Sequence, residues 1–265
     1  MEKKTLKFLI ASGIILILLI ALPVFAIAFA SPVPGYAHAP RIKDKYGNSL
    51  NWAGYAVTGS PGSVTDVKGS WIVPSVTCPG GSQYAAFWVG IDGYSDSTVE
   101  QTGTDSDCSS GSPTYYAWFE FYPKPMFRIN TITVHPGDNV LAEVKYAGGN
   151  KFTIIINDAT TGQKFSTSAS INARRSSAEW ITEAPWSGGI LPLADFGTAN
   201  YGLDYTAIGS TNYATVGGIS DPIGSFGQNV QQITMVTSSG ALKAQPSSLS
   251  TDGTSFNMTW YSAGP

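Results

Sequence analysis

Along this chain, apolar residues recur every second position in short runs separated by Gly, Pro, Asn, Asp and Ser, the pattern of half-buried strands joined by tight turns. Residues 52–58 (WAGYAVT), 69–76 (GSWIVPSV), 84–91 (YAAFWVGI), 115–122 (YYAWFEFY), 129–135 (INTITVH), 139–146, 151–158, 163–170, 231–238 and 255–262 all read as strands. No stretch beyond the N-terminus sustains a helical period, and no repeat occurs. The predicted fold class is all-β, a two-sheet antiparallel sandwich whose curved sheet offers a groove.

Parity within the strands separates two kinds of face. In YAAFWVGID the apolar set is Ala85, Phe87, Val89 and Ile91, with Trp88, Gly90 and Asp92 opposite. In YYAWFEFY the apolar set is Tyr115, Ala117, Phe119 and Phe121, with Tyr116, Trp118, Glu120 and Tyr122 opposite. The first sets are core, while faces that mix tryptophan with carboxylates suit a groove that binds a polymer. By the same parity SAEWITEAP, residues 177–185, is a short strand ending at Pro185. Glu179 and Glu183 then share a face but stand about 13 Å apart, so each needs a partner elsewhere.

The N-terminus breaks the alternating pattern. Lys3, Lys4 and Lys7 precede a nearly unbroken apolar run from Phe8 to Ala30 that ends Ala28-Phe29-Ala30. Residues 1–30 therefore read as a secretory signal peptide or as a retained N-terminal membrane anchor, and either places the rest of the chain outside the cell. Residues 31–50, rich in Pro and basic side chains, form a leader that reads as a short propeptide or a flexible linker, and residues 51–265 form one domain.

Composition narrows the function. Charged residues make up 12% of the chain and the net charge is -3, so no basic stripe exists to neutralise phosphates and a nucleic-acid partner is excluded. Few carboxylates also means little charge build-up in acid, which points to acid tolerance. Cys78 and Cys108 are the only cysteines, and in an exported chain they are expected to pair as a disulfide. The two histidines, His38 and His135, belong to no metal-binding motif, so neither metal nor cofactor is expected. DGTSF around Ser255 resembles a serine nucleophile turn but has no histidine to serve it. What remains is a set of carboxylates and amides among aromatics.

That set resembles a known family. NWAGYAV, GSWIVPSV, FWVGIDG, EQTGTD, YYAWFEFYP, AEWITEAP and LADFGT follow the order and approximate spacing found in the glutamic peptidases, or eqolisins, over residues 51–198. The resemblance implies a concanavalin-like sandwich with a Gln/Glu dyad on its concave side. It implies Gln101, in Q-T-G, as the catalytic glutamine and Glu179, first in E-W-I-x-E, as the catalytic glutamate. Asn51, Trp52, Trp88, Asp92, Trp118 and Glu120 are implied as groove residues, and Glu183 is left at the rim.

The implied chemistry is sound in acid. A glutamate near its ordinary pKa of about 4.3 remains a usable base where a histidine is protonated. A glutamine amide does not titrate, so it can hold a developing oxyanion at any pH. The expected partners are polypeptide substrates, and the expected state is a monomer. Two rivals use the same fold: a glycoside hydrolase with Glu120 and Glu179 as its acid and nucleophile, and a non-catalytic carbohydrate-binding module with Trp88 and Trp118 as platform. Asn257-Met258-Thr259 is a glycosylation sequon.

Overall fold

The structure is a computed structural model that describes residues 29–202 and 211–264. The signal peptide or anchor reading falls on residues 1–30 and so lies almost wholly outside the described residues; among these, no helix is long and apolar enough to cross a membrane.

In chain order the strands are β1 (Ala30–Pro32), β2 (Trp52–Thr58), β3 (Val64–Ile72), β4 (Ala86–Ile91), β5 (Val99–Ser109), β6 (Ser112–Tyr122), β7 (Phe127–Ile129), β8 (Asn139–Tyr146) and β9 (Lys151–Asp158). They continue as β10 (Lys164–Ser170), β11 (Ser177–Glu183), β12 (Thr198–Tyr201), β13 (Tyr213–Val216), β14 (Ile219–Pro222), β15 (Val230–Ile233), β16 (Met235–Val236), β17 (Leu242–Pro246) and β18 (Phe256–Trp260). One sheet runs β1-β7-β6-β5-β4-β11-β2-β15 and the other β10-β9-β8-β3-β12-β18-β17-β16, with the β13–β14 hairpin beside β3. The ladders between these strands are antiparallel, as the alternating pattern predicts.

Each sheet contributes one face to the core. Phe87, Val89, Ile91, Ala117, Phe121 and Trp180 of the first sheet meet Trp71, Val140, Val144, Phe152 and Ile154 of the second. A second apolar cluster of Trp52, Ala56, Trp88, Trp118 and Ile181 lies on the opposite face of the first sheet, as parity predicts for Trp88 and Trp118. These tryptophans are fully buried; Val33 and Tyr36 of the leader pack against the cluster together with Tyr94, Tyr116 and Tyr122, and the His38 ring stacks on Trp118.

Residues 31–50 are therefore neither a free linker nor a separate element. β1 adds to the edge strand β7, pairing Ala30–Pro32 with Phe127–Ile129. The chain then crosses the first sheet, pairs Ala37 with Trp186, and bridges Ser49 to Met235 near the far edge.

Two departures from the sequence expectation have plain causes. In INTITVH only Ile129 lies in a strand, because the chain there leaves β7 of one sheet for β8 of the other; Ile132 and Val134 are buried without a ladder partner. β5 escaped detection because VEQTGTDSDCS is polar on both faces, yet all but its last residue is buried. Thr104 receives the Trp71 indole N–H at 2.9 Å, and the Thr102 hydroxyl donates to the Trp118 carbonyl at 2.6 Å, so polar side chains are satisfied inside a central strand. The expected disulfide is formed: Cys78 and Cys108 lie with Cα atoms 5.5 Å apart and tie the β3–β4 connection to β5.

Gly103 is the tightest point of this sheet. It lies opposite both Trp88 and Trp118, and a Cβ there would come within 2.3 Å of the Phe87 carbonyl oxygen and 2.6 Å of the Trp88 Cβ. Gly103→Ala is expected to destabilise the fold by about 1–3 kcal/mol, read as a lower urea midpoint at unchanged slope. An unchanged midpoint would show that the β4 backbone at Phe87 and Trp88 can shift without cost.

Candidate active site

Register places the polar residues of the outer face in rows. Across β11, β4, β5 and β6 one row is Glu179–Gly90–Gln101–Glu120, the next is Ile181–Trp88–Gly103–Trp118, and the third is Glu183–Ala86–Asp105–Tyr116. Asp105 is a residue that motif reading missed; counting by twos from Gln101 through Gly103 would have found it.

The leader lies over these rows as an extended peptide. The His38 backbone N–H donates to the Glu120 carboxylate at 2.9 Å, and the Gln101 amide nitrogen donates to the His38 carbonyl at 2.6 Å and to Glu120 at 3.1 Å. The Gln101 amide faces two acceptors, so its nitrogen must point this way; its Oε1 has no protein partner. On the next residue, the Ala39 carbonyl accepts from the Trp52 indole at 2.9 Å and from the Asn51 amide at 3.2 Å. Asn51 also donates to the Pro40 carbonyl and, at 3.4 Å, to Glu183, while its Oδ1 accepts the Ile42 N–H at 2.8 Å.

The His38 side chain is fully buried among acids. Its ring stacks on Trp118 at 3.5 Å and 7°, its Nε2 lies 3.2 Å from Asp105, and its Nδ1 lies 3.4 Å from Glu120. Burial alone would lower the imidazole pKa, but Asp105 first and Glu120 second outweigh it and raise it to about 10. The Tyr36 and Tyr116 hydroxyls both donate to the other Asp105 oxygen, at 2.6 and 2.7 Å.

The two glutamates of β11 differ in surroundings. Glu183, expected at the rim, is fully buried; it accepts the Trp88 indole N–H at 2.9 Å and the Asn51 amide. Burial holds its pKa well above the ordinary value; the His38 charge lowers it and Glu120 raises it, so it belongs electrostatically to the site around His38. Glu179, the expected base, is equally buried, yet neither oxygen has a hydrogen-bond partner, the Ser177 hydroxyl nearby falling short of that geometry. Its pKa is also well raised, chiefly by burial, and the acids acting on it are Asp92, Asp96 and Glu100 rather than Glu120. Asp92, expected in the groove, holds the turn into β11 instead, accepting the Arg175 N–H at 2.5 Å and the Ser176 N–H at 2.8 Å. Burial and the neighbouring Asp96 raise it to about 6. Among the described residues no group of His, Cys, Asp and Glu has the arrangement of a metal site.

A β-sandwich with a glutamine, a ring of acids and indole donors around one extended peptide defines a class, and comparison with known proteins names it. The Peptidase A4 family matches residues 50–245, and the chain belongs to that family. It is 32% identical over 189 residues to aspergillopepsin-2 of Aspergillus niger, covering 62% of this chain and 66% of that protein. To scytalidopepsin B of Scytalidium lignicola it is 36% identical over 139 residues, 50% of this chain and 51% of that one. The chain thus spans between half and two thirds of the length of these relatives. A crystal structure of scytalido-glutamic peptidase with a transition state analog inhibitor superposes with a TM-score of 0.66 at 25% identity, over 80% of this chain and 98% of that one.

The buried ionisable groups have a consequence for stability. Glu100 is raised to about 9 by burial and then by Asp92, and Glu179 and Glu183 are raised as well, so the folded state keeps protons that an unfolded chain releases near pH 4.5. His38, raised to about 10, adds stability that is fully present below its unfolded pKa of 6.5 and lost as pH rises through 10. Both effects have the same sign: the fold should be most stable in acid and weaken between pH 4.5 and 10. Urea midpoints measured across that range should fall steadily, and a midpoint that rises from pH 5 to 8 would contradict the burial of these groups.

Proposed function

We propose that this chain is an acid-acting endopeptidase in which Gln101 and Glu183 form the catalytic pair. The observation that carries this reading is the extended peptide already lying in the groove, with its His38 carbonyl on the Gln101 amide and its next carbonyl on Trp52 and Asn51. Glu183 is chosen over Glu179 because Asn51 joins it to that same Ala39 peptide unit, whereas Glu179 has no such link.

In this mechanism Glu183 takes a proton from water as the water oxygen bonds to the substrate carbonyl carbon. The carbonyl electron pair moves onto oxygen, and Gln101 holds the resulting oxyanion through its NH2 group, worth about 10²–10³ in rate. When the tetrahedral centre collapses the C–N bond breaks, and Glu183 returns its proton to the leaving amine. Glu120 anchors the substrate backbone through the N–H that His38 presents here. Displacing the covering peptide rehydrates Glu183 and removes most of the burial that raises its pKa, which returns it to the range useful for a base in acid.

Residues 31–50 then act as a propeptide that occupies the groove, and the apolar N-terminal run together with the Cys78–Cys108 disulfide supports export of the domain. The glycosidase reading with Glu120 and Glu179 has less support, since Glu120 is engaged by a peptide N–H and the amide of Gln101. A carbohydrate-binding module would leave the Gln101 amide without a role.

Purified chain incubated with a denatured protein between pH 2 and 7 should digest it in the acid half of that range, after a lag in which the leader is cut between Ser31 and Asn51. Gln101→Ala should lower the rate by about 10²–10³ and Glu183→Gln by about 10³ or more, with Glu179→Gln much milder. Digestion only near neutrality, or unchanged in Glu183→Gln, would sink the assignment; equal loss in Glu179→Gln would return the base role to that residue. His38→Ala should shorten the lag, because it removes the stacked imidazolium and its two carboxylate contacts.

A further inference from the structure

The leader meets the first sheet at a second place, well away from the groove. Its N-terminal end, Ala30–Pro32, lies on the edge of β7, antiparallel to Phe127–Ile129. The Asn130 N–H donates to the Phe29 carbonyl at 2.8 Å, and the Val33 N–H donates to the Met126 carbonyl at 2.9 Å. Ser31 stands opposite Arg128 between these two bonds, where hydrogen-bonded and open pairs alternate along the ladder. A turn at Pro34 and Gly35, whose φ of 76° suits glycine, separates this edge contact from the segment in the groove. Ala30 pairs with the core residue Ile129 and faces the space between the two sheets. There Phe127 and Phe165 stack on either side of Phe119, at 5.2 and 5.4 Å between ring centroids. With Thr131, Lys164 and Thr167 these rings line a cleft of about 470 Å³, to which Ala30 contributes only a methyl group.

We propose that the β7 edge and this cleft form an exosite for polypeptide substrates. Once the leader has left, a strand of the substrate adds to Phe127–Ile129 and places a large apolar side chain among the three phenylalanines. That residue stands ahead of the one whose carbonyl Gln101 holds by the distance along the chain that separates Ala30 from His38. The exosite rests on the peptidase reading for the identity of its occupant, but not for its capacity to bind a strand. Among the described residues β7 has β6 on one side and only β1 on the other, so departure of the leader frees a row of main-chain donors and acceptors. One chain running in one direction already reaches from this edge to Gln101, so a substrate can do the same. Strand addition draws its affinity from the main chain and its selectivity from pockets that take alternate side chains, and here the pocket is aromatic. The leader is a poor occupant by that measure: three residues pair, one is a proline, and the side chain at the cleft is alanine. A substrate with leucine or phenylalanine there buries apolar surface that the leader does not, which favours exchange of one for the other.

Binding is read without turnover in the full chain carrying Ser31→Pro and Val33→Asp, which detach β1 from the edge, with the amides of β4 and β11 as a control for intact fold. The blocked peptides Phe-Leu-Ser-Pro-Val and Phe-Gly-Ser-Pro-Val are titrated in turn while the amide signals of Arg128 and Asn130 are followed by NMR. The Leu peptide should shift both signals and bind about fivefold or more tightly than the Gly peptide. Thr167→Trp, which fills the cleft, should abolish that difference. Equal binding of the two peptides, or no shift at those two amides, overturns the exosite.

A second arm uses chain that has cut its own leader in acid, and two peptides that share the sequence around the scissile bond while one continues N-terminally through the leader's turn and strand, with Leu at the place of Ala30. The extension should lower KM about tenfold with kcat unchanged, because it joins two contacts through a short linker. Gly in place of that Leu, or an N-methyl group on the residue that meets Arg128, should forfeit most of the gain. Thr167→Trp should leave the rate on the short peptide unchanged and remove the preference for Leu over Gly. Equal KM for the long and short peptides overturns the exosite while leaving the peptidase reading intact. Strand binding at Arg128 and Asn130 with no cutting of any peptide sustains the edge as a strand-binding site and overturns the peptidase reading instead.

Discussion

Acids gathered on a sheet face can be buried only if something brings hydrogen-bond donors and positive charge to them, and for Glu120 and Asp105 residues 33–42 do so. Glu120 receives a backbone N–H and an imidazole, Asp105 receives an imidazole and two phenols, and Glu183 receives an indole and an amide. Take the covering peptide away and the first two lose donors while Trp52, Trp88 and Trp118 lose their apolar cover. The outer face of the first sheet is thus one energetic unit, in which the tryptophans supply the dry walls and the leader supplies the charge balance.

The same constraint explains an apparent contradiction in the chain. Its overall charge is sparse, yet acids are concentrated in a small buried region around Gln101, where Glu100, Asp105, Glu120, Glu179 and Glu183 are nearly or fully inaccessible. Sparse charge elsewhere keeps the surface tolerant of acid, and burial keeps the concentrated acids protonated or paired. The first limits the positive repulsion that builds up as carboxylates neutralise, and the second favours low pH outright by holding protons in the folded state.

How much of this could be read from sequence depends on how many faces of a strand are polar. β4 and β6 each have one apolar and one mixed face, so parity separated Phe87 and Phe121 from Trp88 and Glu120 without any structure. β5 is polar on both faces, one for the site and one for Thr102 and Thr104, so alternation does not mark it as a strand, and Asp105 follows only once Gln101 is placed on the site face and counted from by twos. Glu179 and Glu183 share a face, and no local pattern can tell which of them lies near His38; that depends on Asn51 and Trp88 from other strands. Asp92 followed the groove parity of β4 until the chain turned at φ 74°, which sent its carboxylate to Arg175 and Ser176. The leader was legible as basic and Pro-rich, but beyond the nearby Asn51 and Trp52 its docking depends on Gln101, Asp105 and Glu120, more than 60 residues away, which no window along the chain contains.

The way the leader is fastened sets the terms on which anything else can enter. At one edge Ala30–Pro32 is a strand of the sheet beside Phe127–Ile129, and toward the other Ser49 is bridged to Met235, so the segment between is held at both ends and cannot slide lengthwise. Held so, it faces the groove at an effective concentration fixed by geometry, of millimolar order for short tethers, and independent of how dilute the protein is. A free peptide competing for the same contacts must overcome that local concentration, whereas one break in the strap converts it into two ends that diffuse away. Opening of the groove is therefore governed by chain connectivity rather than by mass action.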